Sequence, residues 1–296
     1  MRLFIIYTVD GVTNGMVYAA VALALVMIFR ATRIINYAQG AMAMFTTYIA
    51  LEVIRHGAPY WLGFIVALAT GLVIGAATER ILVRPVESRP PLNAVILSLG
   101  VLILLEAVAP MLFGGQTQSF PVPVSNIDLE AGTTPLDISP FDLFTIGAVL
   151  IAMLLLFLVF QRTTLGLRMR AAAFNATIAR LSGIRVARVL TVGWALAGLL
   201  GALAGVLVSP STFLYPNSMD AIFVYGFTAA VIGGLDSAVG AVVGGLILGV
   251  VLSYAGGYVG GSVGSDLTSL VALGILVAVL MIRPDGLFAG ARMRRV

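Results

Sequence analysis

Apolar runs of the order of a membrane span recur from residue 16 to residue 282, and nothing else in the chain limits its fold as strongly. A helix crossing a bilayer needs roughly 20 apolar residues, and lipid offers a backbone N–H or C=O no partner, so runs of that length have to be helical. Charged positions cut the chain into about eight or nine such lengths: 12–29, 37–54, 60–79, 92–113, 143–160, 189–209, 219–234, 238–258 and 266–282. Two of them, 37–54 and 219–234, are short enough to be broken or re-entrant. With 60% hydrophobic and 10% charged residues and a mean hydropathy of +1.08, too little polar surface remains for a soluble domain. The expected fold class is all-α, a polytopic transmembrane helical bundle forming one domain over residues 1–296.

The charges give this bundle a direction. Arginines cluster at 30–33, 80–89, 162–188 and 283–295, whereas the loop 114–142 holds Asp128, Glu130, Asp137 and Asp142 and no arginine. The positive-inside rule places the arginine clusters in the cytoplasm and loop 114–142 outside, and counting crossings puts the N-terminus outside and the C-terminus in the cytoplasm. Asp10 and Asn14 interrupt the N-terminal run MRLFIIYTVDG, so no cleavable signal peptide is expected. The net charge of +4 follows from this distribution and gives no reason to expect nucleic acid.

Some chemistry is excluded by residue type. There is no cysteine, hence no disulfide, thiolate metal site or cysteine nucleophile. All seventeen positive charges are arginine, and the phosphate-binding loop of an ATPase needs a lysine that this chain lacks. His56, the single histidine, follows Arg55 at an outer loop and reads as a surface residue rather than a metal ligand. No H-E-x-x-H or G-x-S-x-G pattern occurs, which leaves intramembrane hydrolysis without catalytic groups.

Three stretches and one acid remain as candidates for function. In GLRMRAAAFNATIARLSGIRVAR (166–188), Phe174, Ile178 and Leu181 recur at i, i+4 and i+7, with Gly183 as a stop signal. This predicts a cytoplasmic helix over 168–182 with an apolar stripe between arginines. It could lie on anionic lipid, or dock its stripe into a groove on a soluble partner. In VIGGLDSAVGAVVGGLILG (231–249), Gly240, Gly244 and Gly245 leave one helical face nearly bare, as close helix packing or a movable pathway wall would require. In IINYAQGAMAMF (34–45), Asn36 and Gln39 beside Gly40 fit either an interfacial turn or unwound backbone lining a cavity. Glu106 is the acid set well inside an apolar run, where it would line a pathway, snorkel, or pair with Arg55.

Taken in order, NGMVYAAVALALVMIFRATRIINYAQGAMAMFTTYIA, LVRPVESRPPLNAVILSLGVLILLE, TTLGLRMRAAAFNATIARLSGIRVARV, VIGGLDSAVGAVVGGLILG and IRPDGLFAG resemble the blocks of the LivH-type permease subunit of ATP-binding-cassette importers, the branched-chain amino acid and amide uptake family. The resemblance runs nearly end to end. It departs at Tyr37, where the family usually has Phe, at Asp236, Ser237 and Val239 in the Gly-rich block, and at Asn175 and Thr177, where the family's coupling loop usually carries an acid.

The resemblance implies a bacterial inner-membrane transport subunit, not an enzyme, with no cofactor of its own; ATP and Mg would be bound by partner subunits. Its partners would be a LivM-type permease or a second copy, two cytoplasmic ATPases of the LivG/LivF type, and a periplasmic or membrane-anchored solute-binding protein. The segment 161–188 would be the cytoplasmic coupling loop, with Arg168, Arg170, Phe174, Asn175, Ile178, Leu181 and Gly183 facing the ATPase. Asn36, Tyr37, Gln39, Gly40, Gly233, Gly234 and Ser237 would line the translocation pathway, and Gly240, Gly244 and Gly245 would pack helices. A stand-alone ion-coupled secondary transporter is the alternative; it needs intramembrane carboxylates, of which Glu106 is the candidate, and leaves the 168–182 helix without a role.

Overall fold

The computed structural model describes residues 2–86, 90–123, 130–131, 134–135, 139–259, 264–283 and 286–288. Asp128 and Asp137 of the acidic loop, and the arginines beyond 283 with the C-terminus, lie outside these residues. The chain forms α1 (Arg2–Thr32), α2 (Gln39–Arg55), α3 (Tyr60–Ala77), α4 (Pro91–Phe113), α5 (Pro140–Arg162), α6 (Thr164–Phe174), α7 (Ala176–Leu181), α8 (Val186–Thr212), α9 (Asp220–Gly233), α10 (Ala238–Tyr254) and α11 (Gly264–Ile282). A π-helical turn, Thr78–Val83, extends α3, and another, Ala255–Val259, extends α10. Glu130–Ala131 pairs antiparallel with Thr134–Pro135 in a two-residue ladder within loop 114–142.

Six of the described helical stretches are long and apolar enough to cross a membrane, fewer than the expected eight or nine: Arg2–Thr32, Tyr60–Val86, Leu92–Phe113, Pro140–Arg162, Val186–Thr212 and Ala238–Tyr258. The difference lies in the short elements. At 1.5 Å per residue α9 is about 21 Å long, α2 about 26 Å and α11 about 28 Å, each less than the ~30 Å hydrocarbon core. Asp10 and Asn14 do not interrupt the first helix, which begins at Arg2 and carries both residues within it.

The centre is built on α1 and α8, both largely buried, with α2, α3, α9 and α10 around them. Lipid tails are as apolar as leucine, so burial cannot drive helices together here, and close approach through small residues must. A Cβ added to Gly11 would come within 2.7 Å of Val250 Cα, and one on Gly245 within 2.6 Å of Ala19 Cα; one on Gly249 would strike the Gly15 backbone. Thus α1 crosses α10 at backbone contact. A second such crossing joins α3 to α8, where Gly71 and Gly75 meet Gly198 and the Trp194 carbonyl. By contrast α4 and α5 are mostly exposed, and Gly100 and Gly147 on them face open space.

Candidate functional site

The loop joining α5 to α8 lies between two helices that are each long and apolar enough to cross a membrane. Thr163 starts it by accepting from the Gly166 N–H at 3.3 Å, and Gly166 sits hard against the Phe160 backbone, where no Cβ would fit. The expected single helix over 168–182 is two helices. Asn175 adopts φ −156° and ψ 104°, and its side-chain oxygen accepts from the Thr177 and Ile178 N–H groups at 3.0 Å each. An N-cap in mid-sequence ends α6 and starts α7, which the i, i+4, i+7 pattern alone does not reveal. Gly183, at φ +79°, ends α7, with the Ile184 N–H donating to the Ala179 carbonyl at 2.9 Å.

This elbow has an inner and an outer face. Met169, Ala172, Ala179, Val186, Val189 and Leu190 form its own small core beneath Phe160 and Ala31. The bulky stripe faces the other way: Phe174 is 85% exposed, Leu181 84% and Ile178 57%. Arg168 and Arg170 are exposed on the same loop, and Arg170 donates to the Gln161 side chain at 3.3 Å.

The Asn36–Gly40 stretch is not an ordinary surface turn. Asn36 and Gln39 are both fully buried. Asn36 Nδ2 donates to Gln39 Oε1 at 3.2 Å, its Oδ1 accepts from the Ala38 N–H at 3.1 Å, and Gln39 Nε2 donates to the Ala197 carbonyl at 2.9 Å. Ala197 lies about 16 Å along α8 from its first residue, so unwound backbone re-enters the bundle and α2 starts inside it. Tyr37 donates its N–H to Ser98 of α4 and packs its ring on Phe223 of α9, while Gly40 lies against Met219 and Phe223.

Gly233, Gly234 and Ser237 sit elsewhere, at the α9–α10 turn, about 15 Å along α9 from Phe223. There Gly234 takes φ +93°, Ser237 caps α10 by accepting from Gly240 N–H at 2.9 Å, and the Leu287 N–H donates to the Ile232 carbonyl at 2.8 Å. The expected pathway residues thus form two groups at opposite ends of α9. The Gly-rich face also divides: Gly240 and Gly244 abut Gly233 and Ala229 of α9, whereas Gly245 abuts α1.

Charge networks add residues that the sequence reading did not single out. Glu79, in the π-turn after α3, is 1% exposed. Arg84 donates to both its oxygens, at 3.1 and 2.8 Å, and the Thr191 hydroxyl donates to Oε2 at 2.7 Å. Arg84 also donates to the Ala187 carbonyl at 3.2 Å, which clamps the end of α3 to the first turns of α8. Its signal was a carboxylate five residues before an arginine at the end of an apolar run. Asp236 pairs with Arg33 at 2.6 Å, tying the end of α1 to the α9–α10 turn. Glu106 lies beside Asp220 and Asn217 at the start of α9, not against Arg55.

Comparison with known proteins matches this arrangement to one family. The family described as branched-chain amino acid transport system / permease component matches residues 7–280. The chain is 28% identical over 302 residues to the high-affinity branched-chain amino acid transport system permease protein LivH of Salmonella typhimurium, covering 97% of this chain and 96% of that one. It is 27% identical over 300 residues to the corresponding protein BraD of Pseudomonas aeruginosa, covering 97% and 96%. The solved structure of PsaBC from Streptococcus pneumoniae in complex with Fab shares the fold, with a TM-score of 0.53 at 17% identity over 93% of this chain and 91% of that one. The chain belongs to the family of branched-chain amino acid transport system permease components, the membrane-spanning, non-enzymatic subunits of ATP-binding-cassette importers.

Proposed function

We propose that the chain forms half of the pathway by which a branched-chain amino acid, or an amide or similarly small polar solute, enters the cell. The other half is a LivM-type permease or a second copy. The observation that carries the reading is the exposed Phe174–Ile178–Leu181 stripe on the loop between α5 and α8. It suits the groove of a cytoplasmic ATPase of the LivG/LivF type, two of which drive the complex and hold its ATP and Mg. In this reading the arginine-rich face is cytoplasmic, the N-terminus outside and the C-terminus inside. A periplasmic or membrane-anchored solute-binding protein delivers solute to the opposite face.

Coupling follows from rigid connection. The elbow's inner core continues into Val186, Val189 and Leu190 of α8, and Glu79–Arg84 binds α8 to α3. A displacement of α6 and α7 by the ATPases would move α8 and α3 as one body past the buried Asn36–Gln39 re-entry. Each state of the pathway would be selected by the partner that binds it better.

Reconstitution with the ATPases and binding protein tests this reading. Uptake should require ATP on the cytoplasmic side and the binding protein on the other. Uptake by the chain alone, driven by a proton or sodium gradient, would favour the ion-coupled alternative, for which Glu106 beside Asp220 would supply the carboxyls.

A further inference from the structure

A cavity of about 450 Å³ opens where α6 meets the start of α8. Arg168 lines it from α6, Arg185 and Arg188 from the N-cap and first turn of α8, and no carboxylate among the described residues lines it. None of these arginine side chains has a hydrogen bond or ion pair within the described residues, unlike those of Arg33, Arg84 and Arg170. Glu79, whose oxygens accept from Arg84 and Thr191, is not among the residues that line the cavity. All three arginines are exposed, so water and salt screen their mutual repulsion in part, and an anion held between them would relieve the rest. The start of α8, a 27-residue helix, adds the positive end of its dipole to the same place.

The remaining wall says what kind of anion. Leu165, Val189 and Val192 line the cavity, the latter two on the turns with which α8 enters the bilayer. A ligand that fits has an anionic head for planar guanidinium groups and an apolar part on the membrane side. Guanidinium matches phosphate oxygens in pairs, where an ammonium would act as a point charge. We propose that this cavity binds the phosphate headgroup of an anionic phospholipid from the arginine-rich leaflet. The bound lipid bridges α6 to α8 and fixes the elbow's height relative to the membrane. The site is separate from the Phe174–Ile178–Leu181 stripe and does not depend on what covers that stripe.

Native mass spectrometry of the purified full chain tests this, titrated with phosphatidylglycerol, with phosphatidylcholine of the same acyl chains, and with inorganic phosphate. Each arginine near a membrane surface contributes about fivefold to anionic-lipid affinity, so phosphatidylglycerol should bind at least about tenfold more tightly than phosphatidylcholine. The Arg168→Gln/Arg185→Gln/Arg188→Gln variant should lose that preference, while Arg55→Gln, at the far end of α2, should keep it. If the triple variant does not fold, Arg185→Gln and Arg188→Gln alone should each reduce the preference several-fold. Equal binding of both lipids overturns the proposal. So does saturable binding of inorganic phosphate with no lipid preference, which would make this a free-phosphate site. Loss of ATPase co-purification in the triple variant, with no lipid preference in the native chain, would assign the arginines to acidic side chains of the ATPase and equally overturn it.

Discussion

Glu79 is the most exacting single residue in the fold. A carboxylate with 2% of its side chain exposed is tolerable only while Arg84 and Thr191 satisfy it. Removing one member of a buried pair costs about 3–5 kcal/mol, and the partial exposure of Arg84 places this pair near the lower end. Glu79→Ala should therefore lower unfolding stability in detergent by about 3 kcal/mol, and Thr191→Val by about 1 kcal/mol for one lost hydrogen bond. Thermal unfolding followed by tryptophan fluorescence reads both; an unchanged midpoint in Glu79→Ala would mean that the clamp is absent in the folded protein. At this scale the sequence reading was uneven. Asn36 and Gln39 stood out because amides are conspicuous between apolar spans. Glu79 did not: Arg84 five residues on was a readable partner, but Thr191 of α8, which also binds it, lies 112 residues away. Glu106 was visible as an acid, but its neighbours Asn217 and Asp220 lie more than a hundred residues further along the chain, where no local pattern points to them.

Among the elements, most of the membrane-length helices were legible to within a few residues, because lipid forces every long apolar run into one conformation, whereas the first begins at Arg2 and not at 12. The expected segment at 92–113 is α4 at Pro91–Phe113, and that at 266–282 is α11 at Gly264–Ile282. The break at Asn175 was not legible, because capping there is a backbone choice that an apolar period does not report. Which helices touch was only partly legible. The glycines at 240, 244 and 245 stood out as a cluster, whereas Gly71 and Gly75 of α3, a G-x-x-x-G pair that the sequence reading passed over, form an equally close crossing with α8. Forcing a large side chain into such a contact costs about 1–3 kcal/mol or more. Gly75→Leu and Gly245→Leu should thus sharply reduce the yield of folded, monodisperse protein in size-exclusion chromatography. Gly147→Leu, on a face where a Cβ meets nothing within 4 Å, should leave yield unchanged. Equal yields for Gly75→Leu and Gly147→Leu would mean that the α3–α8 crossing is looser than described.

For the whole molecule, orientation comes first. Gln116, in the loop after α4, and Thr177, on α7, are both exposed and lie on opposite sides of the bundle as the positive-inside rule sets it. The native chain has no cysteine, so single substitutions at these positions report cleanly. Gln116→Cys should react with a membrane-impermeant maleimide added to intact spheroplasts, and Thr177→Cys only after lysis; the reverse pattern would invert the topology.

On the proposed function, ATP hydrolysis reaches the permease at the elbow of α6 and α7. The stripe lies outside the bilayer and outside the elbow's own core, so truncating it should leave insertion and folding intact. Buried interface anchors contribute about 1–3 kcal/mol each. The most direct measurement is substrate-stimulated ATP hydrolysis and uptake by the reconstituted importer carrying Phe174→Ala and Ile178→Ala together. The predicted result is a normally inserted permease that retains at least tenfold less ATPase at equal protein concentration, with hydrolysis and uptake falling in step. Full ATPase retention with native hydrolysis and uptake would contradict the claim.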